Sequence, residues 1–235
     1  MSTVPPPDAR RPPSWLPWAI AAVVVVGLVA RVGLASVRGL SAAPEPGTDQ
    51  HEYDTYAWNL AQGHGYRGMS PDVADPNHLT AYRPPLPSVA MAAVYAVAGH
   101  SYTAVRLLHC LLGAGSVWLT YRLGRRAYGE TVGLVAAAGY AVYPLAVFQS
   151  GDILSEPLGV FLFLLFLDLA LAAGGSWRHA CGAGAVLGLA LLARANYALM
   201  LPLLVVWALF QARADRRLLW RAGAVVAVAA AVMVP

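Results

Sequence analysis

Long apolar runs constrain this chain more than any motif it carries. The stretches "WLPWAIAAVVVVGLVARVGLASV" (15–37) and "PLGVFLFLLFLDLALAAGG" (157–175) approach the roughly 20 residues a helix needs to cross a bilayer core. Hydrophobic residues make up 58% of the 235 residues and charged ones only 12%. Backbone facing lipid must satisfy its own hydrogen bonds, which leaves helices or closed barrels. The runs lack the alternating polarity of a transmembrane strand. The expected fold class is therefore all-α, a polytopic helical membrane protein. The first run exceeds the 7–15 residues of a signal-peptide core, so it reads as a retained span.

Further apolar runs fall at about 86–99, 102–122, 131–149, 155–174, 179–195, 197–212 and 218–235. Residues 1–14 are proline-rich and read as a disordered cytoplasmic end carrying Arg10 and Arg11. The run 86–99 is too short to cross comfortably. Excluding it puts ten arginines inside, including Arg122, Arg125 and Arg126, against Arg38, Arg67, Arg83, Arg106 and Arg194 outside. Arg31 then lies near the outer end of the first span. The expectation is seven spans, with 86–99 as an interfacial or re-entrant helix and 37–101 as a first extracytoplasmic loop. The chain closes on "VVAVAAAVMVP" with no polar flank, which reads as the N-terminal part of a longer protein.

The 16 basic residues are all arginine and lie mainly between apolar runs, so they speak for topology and not for nucleic acid. Cys110 and Cys181 sit in apolar runs with no metal or disulfide spacing and read as small buried hydrophobes.

Half of the twelve acidic residues fall in the polar stretch 37–84: Glu45, Asp49, Glu52, Asp54, Asp72 and Asp75. The segment "DQHEYDTYAWNLAQ" (49–62) reads as a helix between Gly47 and Gly63. On it Asp49, Glu52, Tyr53, Tyr56 and Leu60 share one face. Asp49 can be an N-cap and Glu52 can complete a capping box. Equally, a carboxylate held rigidly at the membrane surface can be a general base, and a cap can also be a base.

Three more features stand beside it. In "AYRPPLPS" (81–88) the prolines hold Arg83 in place, either snorkelling to headgroups or clamping a phosphate. In "SGDILSEPL" (150–158) Glu156 opens a span, with Pro157 expected first in the helix and Ser155 or Asp152 as the cap. Arg194, in "LLARANYALMLP", is either a headgroup contact or a functional charge. Asp168 lies deep in an apolar run and needs a partner or a nearby interface. His51 with Asp49 and Asp54 offers donors for a divalent cation, but the spacing matches no ligand motif, so no metal or other cofactor is assigned.

The order of these features resembles a known family. A first span is followed by D-x-x-x-Y, "A-x-N-L-A-x-G-x-G-Y", R-P-P-L, S-E-P-L and an arginine before "LMLP". This is similar to the integral-membrane GT-C glycosyltransferases of the family-39 kind, which include protein O-mannosyltransferases and lipid A aminoarabinose transferases. The resemblance covers 15–235, a GT-C-like transmembrane domain. It implies Asp49 as the catalytic acid/base residue, with Glu156 as a second catalytic carboxylate. It also implies Glu52, Tyr53, Tyr82, Arg83 and Arg194 as substrate-binding residues, Arg83 and Arg194 near the lipid phosphate. Glu at 156 and the additional Glu52 and Asp54 depart from the family's pattern. The implied reaction is inverting transfer of a sugar from a polyprenyl-phosphate donor to a hydroxyl of a protein, lipid or polysaccharide. It would take place on the outer face of a bacterial plasma membrane. The rivals are a transporter of lipid-linked sugars, for which Asp168 is weak support, and a non-catalytic membrane subunit.

Overall fold

The computed structural model describes residues 13–70, 75, 77–80, 82–173, 176–212 and 217–233. Arg10, Arg11, Asp72, Arg213 and Arg216 therefore lie outside the described residues, as does the stretch 1–12. The helices are α1 (Leu16–Val37), α2 (Asp49–Ala61), α3 (Pro85–Ala98), α4 (Tyr102–Tyr128), α5 (Glu130–Ala141), α6 (Pro144–Gln149), α7 (Glu156–Ala173), α8 (Trp177–Ala193), α9 (Met200–Ala212) and α10 (Arg217–Met233). A 3-10 turn, Ala195–Leu199, joins α8 to α9. The chain is all-α as expected. Among the described residues, extended pairing is confined to one antiparallel bridge, Arg67 to Leu79.

Helices α1, α4 and α7, of 22, 27 and 18 residues, are each long and apolar enough to cross a membrane. Helix α3 has 14 residues and rises about 21 Å, short of the roughly 30 Å hydrocarbon core. Val25, Val26 and Val29 on α1 and Leu203, Leu209 and Phe210 on α9 are exposed. Water would not tolerate such a surface, whereas lipid is its natural solvent. The chain is an integral membrane protein.

Helix α4 is the central post, packed against α1, α5 and α7. Helix α8 packs on α7 and α10, with Phe166, Ala183, Leu187, Val225 and Ala229 buried between them. The close approach of α8 to α10 depends on Gly184 and Gly188. A Cβ at Gly184 would lie 2.6 Å from the Val225 carbonyl oxygen, and one at Gly188 2.9 Å from that of Ala229. Small residues four apart let two backbones meet in this way in membranes.

Two expectations need correction, and Arg31 gains partners that the sequence did not name. The run 131–149 is not one helix: it breaks at Val142 and Tyr143 between α5 and α6. Pro144 has no N–H to give the Tyr140 carbonyl, so the ladder stops there. Arg31 lies on α1 towards its C-terminal end, as expected, but turns inward. It is fully buried, and its Nη1 donates to the carbonyls of Gly27 at 2.8 Å and Ala141 at 3.0 Å. Its Nη2 reaches Tyr140 O at 3.4 Å, so α1 caps the broken end of α5. Cys110 is buried as expected, but Cys181 is exposed on α8.

Asp168, 3% exposed, has found its partners on α4. Arg122 Nη2 lies 2.9 Å and Arg126 Nη1 3.0 Å from its carboxylate. This pairing is structural and removes the transporter-like oddity of a lone intramembrane acid.

A Val at Gly184 or Gly188 overpacks the α8–α10 seam and is expected to cost about 1–3 kcal/mol. Thermal unfolding of the detergent-solubilised protein checks this, with Gly223→Val on α10 as the control, because a Cβ there meets nothing within 4 Å.

Candidate active site

The site begins at the first turn of α2. Thr48, not Asp49, is the N-cap: its side chain accepts from the His51 N–H at 3.4 Å. The expected Asp49 cap and its capping box with Glu52 are therefore displaced by one residue, and both carboxylates turn to another partner. At the far end, the His64 N–H bonds to Asn59 O at 2.9 Å and Gly63 N–H to Leu60 O at 3.0 Å. Gly63, at φ 76°, supplies the left-handed residue that this Schellman closure requires.

Both carboxylates meet Arg83. Its Nη2 donates to Asp49 Oδ1 at 2.5 Å and its Nε to Glu52 Oε2 at 2.6 Å. Two rings flank the guanidinium, Tyr53 at 5.4 Å and Tyr82 at 4.9 Å from their centroids. The Tyr66 hydroxyl donates to the Arg83 carbonyl at 2.9 Å, and Pro85 then starts α3. Burial alone would lower the Arg83 pKa, but its hydrogen bonds to Glu52 and Asp49 outweigh it and the net shift is upward. Exposure separates the two acids: the Asp49 side chain is 62% exposed and that of Glu52 18%.

A second ion pair stands across from the first. Arg194, the C-cap of α8, places Nη1 2.7 Å from Glu156 Oε1 and 3.2 Å from Ser155 Oγ. Glu156 is the first residue of α7 and Pro157 the second, one place later than expected. Ser155 occupies the capping position, its carbonyl accepting from the Gly159 N–H at 2.9 Å. Gly159 gives the arginine its path, since a Cβ there would sit 2.8 Å from Arg194 Cδ. Burial opposes the charge on Arg194, and Glu156 more than offsets it, with smaller raising contributions from Tyr197 and Tyr53. Tyr53 thus lies under Arg83 and within electrostatic reach of Arg194. Leu86, three residues past Arg83, packs with Ala190 and Ala193 just before Arg194.

A polar frame that the sequence reading did not assemble holds this arrangement. Gln50 Nε2 donates to Asp152 Oδ1 at 3.3 Å, while its Oε1 accepts from the Ile153 N–H at 3.1 Å. Asp152, weighed above as a cap for α7, instead pairs with Arg38 at 2.7 Å. Buried Arg106 donates to the carbonyls of Gly151, Leu40 and Ala42 at 3.0, 2.6 and 2.8 Å. His109 Nδ1 bonds to Asp152 O at 2.8 Å. Arg106 and His109, three apart in an apolar run, were the available signal. A polar cavity of about 300 Å³ opens here, lined by Arg38, Glu45, Thr48, Gln50, Arg106 and Asp152 among others.

The donors once grouped for a cation go separate ways. Asp49 is with Arg83, while Asp54 is buried and accepts from the Tyr95 hydroxyl at 2.6 Å, with His100 Nε2 2.8 Å away. Among the described residues no group of three His, Cys, Asp or Glu side chains could hold a metal ion.

A family model described as dolichyl-phosphate-mannose-protein mannosyltransferase matches residues 82–235. No curated protein matches the chain. The matched stretch contains Tyr82, Arg83, Glu156 and Arg194. Helix α2 lies outside it and joins those residues through packing and the Arg83 ion pairs. Spanning well over half of the sequence, the match shows that this chain, a membrane glycosyltransferase of the mannosyltransferase type, belongs to the dolichyl-phosphate-mannose-protein mannosyltransferase family.

Proposed function

We propose that the chain transfers a sugar from a polyprenyl-phosphate donor to an acceptor hydroxyl at the extracytoplasmic face, with inversion at the anomeric carbon. The observation that carries this reading is the placing of Asp49 and Glu156 on two arginines, Arg83 and Arg194, with Tyr53 against the first and within electrostatic reach of the second.

Asp49 is the general base in this scheme. Among the carboxylates of the two ion pairs it is the most exposed, so an acceptor can reach it. The polar cavity beside Thr48 and Gln50 offers an approach for that acceptor. As the acceptor oxygen attacks, Asp49 takes its proton and the bond from the anomeric carbon to the phosphate oxygen breaks. Charge then grows on the departing lipid phosphate. A guanidinium carries five N–H donors, and Glu52 and Asp49 engage Nε and Nη2 of Arg83. Arg83 and Arg194 stabilise the developing phosphate charge, which is an electrostatic contribution aimed at the transition state. Glu52 and Glu156 hold the two arginines in register, and Tyr53 and Tyr82 pack the guanidinium of Arg83.

Two substitutions one residue apart separate capping from chemistry. Asp49→Asn is expected to lower transfer of labelled mannose from polyprenyl-phosphate mannose by about 10²–10⁴ while leaving the melting temperature near wild type. Thr48→Ala is expected to do the reverse, costing about 1 kcal/mol of stability with a much smaller effect on turnover. Full activity in Asp49→Asn sinks the base assignment.

Arg83→Lys keeps the charge but not the fork that spans Asp49 and Glu52. Steady-state kinetics on the intact protein are expected to show at least a tenfold loss in kcat/KM for the donor. An unchanged value removes Arg83 from the phosphate site.

A further inference from the structure

At the opposite end of α4 from the candidate site, Trp118, Tyr121, Arg122, Arg125 and Arg126 line a cleft of about 460 Å³. Helices α5 and α7 both pack on α4, and each sends one acid to this cluster. Glu130 of α5 pairs with Arg125 at 2.8 Å, and Asp168 of α7 is shared by Arg122 and Arg126. Three guanidiniums against two carboxylates leave one positive charge in excess. That excess belongs to the Arg122–Asp168–Arg126 triad, whose acid is 4% exposed while each arginine side chain remains 35% exposed. The acid is therefore consumed internally, and the arginines still present N–H groups outward.

Depth along the membrane normal points to the ligand. Arg106, beside the candidate site, and the cluster Arg122–Arg126 are 16–20 residues apart on one continuous helix. At 1.5 Å per residue that is about 24–30 Å, close to the thickness of the hydrocarbon core. The cluster thus lies at the headgroup level of the other leaflet. Trp118, 42% exposed, lies just to the core side of the cluster with Arg122 4.6 Å above its ring. An amphipathic indole at that depth is typical of the membrane interface. We propose that this cleft binds the phosphate headgroup of an anionic phospholipid, with the phosphate completing the Arg122–Asp168–Arg126 cluster and the tails lying along Trp118. The site is independent of the sugar-transfer chemistry and on the other side of the bilayer from it.

The test is lipid retention by the intact protein in native mass spectrometry, after reconstitution with phosphatidylglycerol or phosphatidylcholine of identical tails. Wild type is expected to retain phosphatidylglycerol preferentially. Arg126→Gln removes the excess charge while Arg122 still neutralises Asp168, and it is expected to lower that retention about fivefold. Arg125→Gln breaks the ion pair to the partly exposed Glu130, which leaves that carboxylate's charge beside the arginines, and is expected to act in the same direction, so it decides the matter should Arg126→Gln fail to fold. Equal retention of the two lipids, or unchanged retention in Arg125→Gln, overturns the proposal. Complete displacement of the lipid by millimolar inorganic phosphate also overturns it, by showing a simple anion site.

Discussion

A guanidinium buried against backbone carbonyls organises this protein. Arg106 rises from α4 and donates to Gly151 on one loop and to Leu40 and Ala42 on another. The Gly151 carbonyl would otherwise be a buried acceptor without a donor, at about 1–3 kcal/mol. One side chain therefore joins the loop after α1 to the loop before α7. Arg38, Asp152 and Gln50 build on that joint, and Gln50 sets the first turn of α2. Where α2 starts determines where Asp49 and Glu52 stand. Arg31 repeats the device deeper in the bundle, at the carbonyls freed where α5 stops. Arginine suits both tasks because its donors are numerous and planar and its charge is not easily given up.

Much of the helical plan was legible in hydrophobicity alone. Helices α1, α3, α7 and α8 lie where the apolar runs put them, since crossing lipid leaves few alternatives to a helix. The pairing of Asp49 with Arg83, and of Glu156 with Arg194, joins residues that the sequence had singled out separately. Other features were hidden for physical reasons. The break in 131–149 follows from Pro144, a local signal outweighed by the apolar run around it. The cap shifted from Asp49 to Thr48 because several residues at a helix start can cap it, and only the backbone turn decides which one does. Contacts such as Arg31 to Ala141 or Arg38 to Asp152 link positions more than a hundred residues apart, and no local pattern announces them.

At two places in this bundle charge is shared and not simply matched. Asp168 serves two arginines on the same helix, and Arg83 serves two acids on another. Sharing of this kind fixes helix register, because a slip of one residue would leave a charge unpaired in a medium that penalises it. It also helps a chain with so few charged residues keep Asp168 among apolar helices, since both of its partners come from one end of α4.

The double engagement of Arg83 has a consequence for the order of events in the proposed reaction. A phosphate arriving at that guanidinium competes with anions already seated there, so binding is an exchange of ligands and not the filling of a vacancy. Of the two resident acids, the more solvent-reached Asp49 is the easier to displace, because water can take over its solvation. Its release would coincide with the arrival of the lipid-linked sugar. Proton acceptance is then gated by donor occupancy, and an empty enzyme keeps its base occupied.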